Sequence, residues 1–413
     1  MQLLLRNIRQ IVTVAASGAP CKRGAEMRQI GIIEEGYVLI EDSSIVQVGA
    51  GSFAGDLTEE ATVLDCEGLV ALPGFVDAHT HLLFAGSRAN EFAMRAEGKS
   101  YQDIAAAGGG ILSTVAATRA ASKKELKKLA RRHLDGMMKL GTTTCEIKSG
   151  YGLTEDDERK MLECINELAE EHLMDIVPTF LAAHAVPPEF ASNADAYVSL
   201  ICERMLPYVA QRKLAVFCDA FCEKNYFSVE QTRRIFQKAQ SLGLQLRLHA
   251  DQLAQIGASR LAAEFQAVSV DHLEKIDAAG IRAVKDSGSI ATLLPGVSFF
   301  LNYAYPPARE IIDAGIPVAL ASNFNPGSCM SYSMPMMMTI ACTQMGMSVE
   351  EAITGATLNG AASLNLSAKT GSLEVGKQAD IILYDLPDYR QLAYHFGTNH
   401  VAKIIKRGTI LEF

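Results

Sequence analysis

A basic excess is missing from this sequence, and with it the usual footprint of a nucleic-acid binder. Against 38 Lys and Arg stand 47 Asp and Glu, a formal net charge of −9, whereas a phosphate-binding surface needs cationic surplus. The one basic stretch, Lys123-Lys124 through Arg132, reads as the solvated face of a helix. Long apolar runs are missing too. No stretch approaches the roughly 18 residues of a membrane span, so neither nucleic acid nor membrane is an expected partner. The start carries Arg6 and Arg9 among its apolar residues, which makes a poor signal peptide. Cys-x-x-Cys is absent although there are nine cysteines. An odd count at irregular spacing predicts free, mostly buried thiols in a reducing cytoplasm. No Gly-x-Gly-x-x-Gly follows a first strand, which weighs against a doubly wound dinucleotide sheet.

What is present fits a large globular enzyme. The 413 residues are 49% hydrophobic and 21% charged, ordinary for a soluble protein with more than one domain's worth of core. Residues 1–65 read as short strands, including a hairpin over Gly36–Gly49 that turns at Asp42-Ser-Ser. Gly371–Tyr384 and Val401–Leu411 are strand-like and hairpin-like as well. Two incomplete β-rich ends predict one composite small β-sandwich domain, residues 1–65 with 356–413, around a middle of 66–355.

That middle alternates apolar strands with helical stretches, the pattern of a parallel sheet. Eight strands are predicted: Gly74–His81, Thr142–Lys148, Ile176–Ala183, Ala215–Cys222, Gln245–His249, Ala267–His272, Ser289–Leu294 and Pro317–Ser322. Helices are predicted over Glu125–Leu140, Asp156–His172 and Val229–Leu242. Eight strands over this length predict a (β/α)₈ barrel, whose chemistry sits at the carboxyl ends of the strands.

Polar groups collect at those ends. In Asp77-Ala-His-Thr-His81 two histidines follow an apolar run; side chains two apart share a face of a strand, so both imidazoles can reach one metal ion. By itself a His-x-His is as well read as two satisfied histidines near a strand end. His184 follows the third strand, His249 ends the fifth, His272 ends the sixth, and Asn323 follows the eighth. Helices hold His133 and His172 instead. The four methionines at Met334 and Met336–Met338 read as core filler.

In these residues the chain resembles the amidohydrolase superfamily, with His-x-His on strand one and histidines on strands five and six. Within it the chain looks like a member of the imidazolonepropionase family. Its markers here are Pro73-Gly-Phe-Val-Asp-Ala-His-Thr-His81, Gly86-Ser-Arg88, Ser100-Tyr101, Gly108-Gly-Gly-Ile-Leu-Ser-Thr114, Thr118-Arg119, Glu146-Ile-Lys-Ser-Gly-Tyr-Gly152, His249-Ala-Asp251 and Phe324-Asn-Pro-Gly327. The resemblance spans nearly the whole chain. It implies hydrolytic ring opening of 4-imidazolone-5-propanoate, a small anionic heterocycle, to N-formimino-L-glutamate, with one divalent or trivalent metal ion, zinc or iron. It also implies a homodimer. By this resemblance His79, His81, His249 and Asn323 would hold the metal, and His272 would hold its water or the developing oxyanion. Arg88, Tyr101, Tyr151, His184, Asn325, Gly327 and Ser328 would grip substrate, with Gln252 beside the reacting centre. A planar, always-charged Arg88 suits a propanoate, and Gly108–Gly110 would be a flexible loop before a helix. Lys148 resembles the carbamylated lysine of two-metal relatives but lies on the second strand, so one metal is expected.

One position departs from the family pattern. The eighth-strand residue is normally Asp, and here it is Asn323. An amide oxygen can face a metal but cannot take a proton from water at neutral pH, and Gln252 is uncharged as well. Hydrolysis is therefore expected to be impaired. Three readings stay open: a substituted, disabled form of an active parent, a member using another base with His272 nearest, or a chain drifted toward another reaction. The alternatives in function are a related mononuclear amidohydrolase or deaminase acting on another heterocycle, and a metabolite-binding form without activity.

Overall fold

The structure, a computed structural model, describes residues 1–99, 103 and 108–412. From the amino-terminal part come β1 (Gln2–Val12), β2 (Ile32–Glu41), β3 (Ser44–Ala50), β4 (Thr62–Asp65) and β5 (Val70–Pro73). Eight strands follow in the middle: β6 (Phe75–Asp77), β7 (Thr142–Lys148), β8 (Asp175–Ala183), β9 (Phe217–Cys222), β10 (Gln245–Ala250), β11 (Ser269–His272), β12 (Ile290–Leu293) and β13 (Val318–Leu320). Last come β14 (Ile381–Tyr384), β15 (Val401–Lys406) and β16 (Thr409–Leu411).

Strands β6 to β13 are hydrogen-bonded in chain order, every pair parallel. Beyond the ladders, the first and last strands meet. Thr80 and Phe324 form a parallel bridge, the Asn323 N–H donates to His79 O at 3.0 Å, and the His81 N–H donates to Phe324 O at 3.0 Å. All eight predicted barrel strands are present. The first has a shorter ladder than expected, ending at Asp77, because its histidine segment bonds to the eighth-strand extension instead.

Helices between the strands form where sequence caps and periodicity agree. Lys123–Lys139 starts at a Ser122/Glu125 capping box and buries Leu126, Ala130, Leu134, Met137 and Met138 on one face, the spacing of a single helical stripe. Its basic face is solvated, as predicted, and is paired: Lys123, Lys127 and Arg131 meet Glu163, Glu167 and Glu171 of the next helix, Glu155–Glu171. Met334, Met337 and Met338 are buried on helix Met334–Gln344. All nine cysteines are free, seven of them buried.

Both chain ends build one eight-stranded mixed sheet, in the order β16-β15-β14-β5-β1-β2-β3 with β4 paired to β1. Leu3, Leu5, Ile8, Val38, Ile381 and Ile405, from strands across the whole sheet, share one buried cluster, so the sheet encloses a core of its own. It is clasped to the barrel at Asp175, the first residue of β8. That carboxylate accepts from Lys406 Nζ and Gln378 Nε2 at 2.7 Å each, and pairs with Lys369 and Arg407. The clasp lies at the start of β8, leaving the carboxyl ends of the barrel strands open.

Candidate active site

Three histidines converge at those carboxyl ends. His79 Nε2 and His81 Nε2 are 3.3 Å apart, and His249 Nε2 is 3.3 Å from His81 Nε2. All three rings are buried. Among the described residues they form the one group of three or more His, Cys, Asp or Glu able to hold an ion together. The geometry suits a metal better than mutual hydrogen bonding. His79 Nδ1 faces Asp271 Oδ2 at 2.7 Å, and His249 Nδ1 faces Asp219 Oδ1 at 3.1 Å. Each carboxylate fixes the proton on Nδ1 and turns the Nε2 lone pair toward the centre. Lone pairs aimed at one another call for a cation. Imidazole nitrogens at about 2.0–2.1 Å around a tetrahedral ion lie roughly 3.3–3.4 Å apart, the separation seen here. Burial, then neighbouring cationic or imidazole groups, hold His79 and His81 neutral by pushing both far below the usual histidine pKa.

Behind the histidines lies a buried charge cluster. Lys148 Nζ is 2.6 Å from Glu146 Oε1 and 2.8 Å from Asp219 Oδ2, and Arg247 Nη2 is 3.0 Å from Asp271 Oδ2. Against the burial that would raise it, His249 and Lys148 hold the Asp219 carboxyl well below its usual range. Lys148 thus serves as a fixed ion-pair partner on the second strand, and His249 keeps an ionised orienter.

Two backbone irregularities aim further groups inward. His272 has φ +81° and Leu273 +73°, a left-handed conformation uncommon outside glycine. It breaks strand alternation, so adjacent residues Asp271 and His272 both face the centre, the His272 ring centroid 5.6 Å from that of His79. His272 Nδ1 lies 3.3 Å from Glu274 Oε1. Asn323, with φ +53°, is buried; its Nδ2 donates to Ser328 Oγ at 3.3 Å, and its Oδ1 finds no partner among the described residues. The three imidazole nitrogens form a donor set that fits a metal ion, and Asn323, with that amide oxygen unpartnered, lines the same cavity as His81 and His249.

The histidines open into a cavity of about 420 Å³. On one side, the His184 ring stacks on His81 with centroids 4.9 Å apart, and its Nδ1–H donates to Gly150 O at 3.0 Å. Burial, with His249 nearby, lowers its pKa to about 3, so His184 is neutral and its Nε2 keeps a lone pair. Gly150 has φ +105°, and a Cβ there would lie 2.8 Å from Leu181 O and 3.1 Å from His184 Nδ1, so the turn admits only glycine. Tyr151 packs beside His184, ring centroids 5.3 Å apart. On the other side stands Arg88, with Gly327 and Ser328. Asn325 lines the same wall, but its amide is committed to the loop: Oδ1 accepts from Gly327 N at 2.8 Å and Ser328 N at 2.9 Å.

The amidohydrolase family model matches residues 70–411. An imidazolonepropionase of Alkaliphilus metalliredigens is 44% identical over 100% of this chain and 98% of its own length. One of Geobacillus kaustophilus is 45% identical over 99% and 97%. The chain is an amidohydrolase of the imidazolonepropionase family. Solved structures with the same fold include a triazine hydrolase from an Arthrobacter species, TM-score 0.76 at 18% identity over 99% of this chain and 94% of that one. An atrazine chlorohydrolase complexed with zinc has TM-score 0.72 at 18% identity, over 99% and 95%.

Imidazolonepropionase markers and structure coincide at one place. Of the residues singled out by sequence, His81, His249, His272, Asn323, Arg88, Tyr151, His184, Gln252, Asn325, Gly327 and Ser328 line the cavity, and His79 lies against its floor. Tyr101 lies outside the described residues. Sequence reasoning missed Glu91 and Arg95, which line the cavity from helix Ala89–Ala96, and Asp271, the carboxylate behind His79. Asp271 carried a signal: it is adjacent to His272 at a strand end, where ligand orienters gather.

Proposed function

We propose that this chain opens the ring of 4-imidazolone-5-propanoate to N-formimino-L-glutamate, a step of histidine degradation. One observation carries it: the converging histidine nitrogens and an arginine wall share one cavity, in a chain 44% identical end to end to an imidazolonepropionase. His79, His81 and His249 would hold a single zinc or iron ion, with Asn323 Oδ1 as a further donor. Such an ion, when bound, polarises a carbonyl and lowers the pKa of water toward about 7. The rest is done by the chain. His184 Nε2 accepts from a ring N–H, Tyr151 covers the ring, Arg88 and the Gly327–Ser328 loop hold the propanoate, and Gln252 stands beside the reacting carbon. Water adds to the ring carbonyl, the amide C–N bond breaks, and the departing nitrogen takes a proton. The proton of the attacking water needs an acceptor, and Asn323 and Gln252 are not basic. His272 is the nearest one, since Glu274 on Nδ1 leaves Nε2 with its lone pair. With no carboxylate at position 323, turnover is slow. The catalytic unit is residues 66–355, braced by 1–65 and 356–413, in a cytoplasmic homodimer.

The test is turnover by metal-loaded protein, followed as loss of imidazolone absorbance with the product identified by mass. Slow opening of imidazolonepropanoate and no deamination of guanine or cytosine is the expected result. Preferential turnover of either base would replace this reading with a deaminase.

A further inference from the structure

The arginine wall contains more charge than one clamp. Arg88 precedes helix Ala89–Ala96 and has one edge of its guanidinium closed: Nε lies 2.9 Å from both oxygens of Glu91, and Nη2 lies 2.8 Å from Oε2. Glu91 is itself held, accepting from Gly110 N at 2.9 Å. An incoming carboxylate therefore meets an arginine that is already half neutralised. Arg95 lies seven residues on, two helical turns away and on the same face. Its Nη2 donates to Gly327 O at 3.0 Å, and its guanidinium lies over Phe300, 5.6 Å from the ring centroid. Arg88 arrives at the same glycine, since a Cβ on Gly327 would stand 2.0 Å from Arg88 Nη1. Both guanidinium groups border the cavity. Two arginines against one glutamate leave a positive charge, to which Lys99 on the same cavity adds another, so this wall attracts a carboxylate.

We propose that Arg95 is a specificity-determining residue that anchors the substrate's carboxylate together with Arg88, across Gly327. The inference deepens the proposed reaction and rests on it for the ligand's identity. Glu91 sets the Arg88 fork and Gly110 sets Glu91, so the remaining Arg88 Nη1 and the Arg95 guanidinium present separate donors on either side of the glycine. A side chain at 327 would close that gap.

The test is calorimetric binding of two stable probes to metal-loaded protein, 3-(imidazol-4-yl)propanoate and neutral 4-propylimidazole. Wild type should prefer the acid. Arg95→Met should weaken the acid roughly 10- to 100-fold, the range for a lost hydrogen bond to a charged group, and leave propylimidazole unchanged. Arg95→Lys, which keeps charge but not the fork, should fall between. KM for imidazolonepropanoate should rise in parallel while kcat moves little. Unchanged acid binding in both variants overturns the inference alone, and so does equal weakening of the two probes. A wild type that binds both probes alike would overturn the proposed substrate itself.

Discussion

At the scale of single residues, chemistry turns on the side chain at 323. Its position is set by backbone: φ +53° and a bond from its N–H to His79 O at 3.0 Å carry it to the histidines whatever the side chain. Asp tolerates the left-handed region about as well as Asn, so Asn323→Asp should fold unchanged and place a carboxylate oxygen where the orphaned amide oxygen is. That oxygen can both face the metal and take the proton from water, a role worth roughly 10²- to 10⁴-fold. Asn323→Asp should therefore raise kcat for ring opening by about that factor at pH 7. Equal rates would mean that His272, or another group, already does the work. The histidines that frame this site were legible in the sequence because strand ends are points of known direction. Arg95 was not, because its relevance depends on a helix face pointing at a loop more than 200 residues away, and no local period reports that.

At the scale of elements, the turn after β7 shows how much of a site can hang on one buried acid. Glu158, on helix Glu155–Glu171, accepts from Gly150 N at 3.1 Å, Gly152 N at 2.9 Å and Leu153 N at 2.8 Å. Those bonds shape the segment that carries Tyr151 and aims Gly150 O at His184. Removing the acceptor strands three buried donors, each costing roughly 1–3 kcal/mol. Glu158→Ala should lower the apparent Tm and weaken binding of both imidazole probes, acid and neutral alike, because the lost contact is with the ring. An unchanged Tm would show that water replaces the carboxylate. Sequence placed the helix, since periodicity marks it, and singled out Glu146–Gly152 by family resemblance alone. It did not connect them, for Glu158 sits among acidic residues of a first helical turn and looks like one more dipole partner. The barrel strands were readable as apolar runs between helices, whereas the bonding of the His-x-His segment to the eighth-strand extension depends on closure, which appears only when all eight strands are assembled.

At the scale of the whole molecule, the mixed sheet and the barrel meet across a shared buried cluster, in which Val12, Val70, Leu72, Ile382 and Ile404 of the sheet join barrel residues such as Phe75 and Ile147, and Asp175 is a polar clasp at their contact. It draws Lys406 at the end of β15, with Gln378, Lys369 and Arg407 from the segments next to the sheet's strands, onto the start of a barrel strand. Burial alone would raise its pKa, but Lys406 leads a set of partners that hold it far below the ordinary carboxylate value. A carboxyl whose folded pKa is depressed stabilises the fold fully above its unfolded value, about 3.9, and loses that contribution as the pH falls from there toward the folded value. Asp175→Asn keeps the shape and removes the charge, so it should melt below wild type at neutral pH. The gap between the two melting temperatures should be widest near pH 6–7 and narrow as the pH falls below about 4, where the unfolded chain takes up a proton that the folded carboxylate still refuses. Added salt should narrow it less than it would for an exposed pair, because Asp175 and Lys406 are largely withdrawn from solvent and screening acts mainly on exposed charges. A gap constant from neutral to acid pH would assign the clasp to packing and hydrogen bonding, and the two units would then be held together without regard to charge.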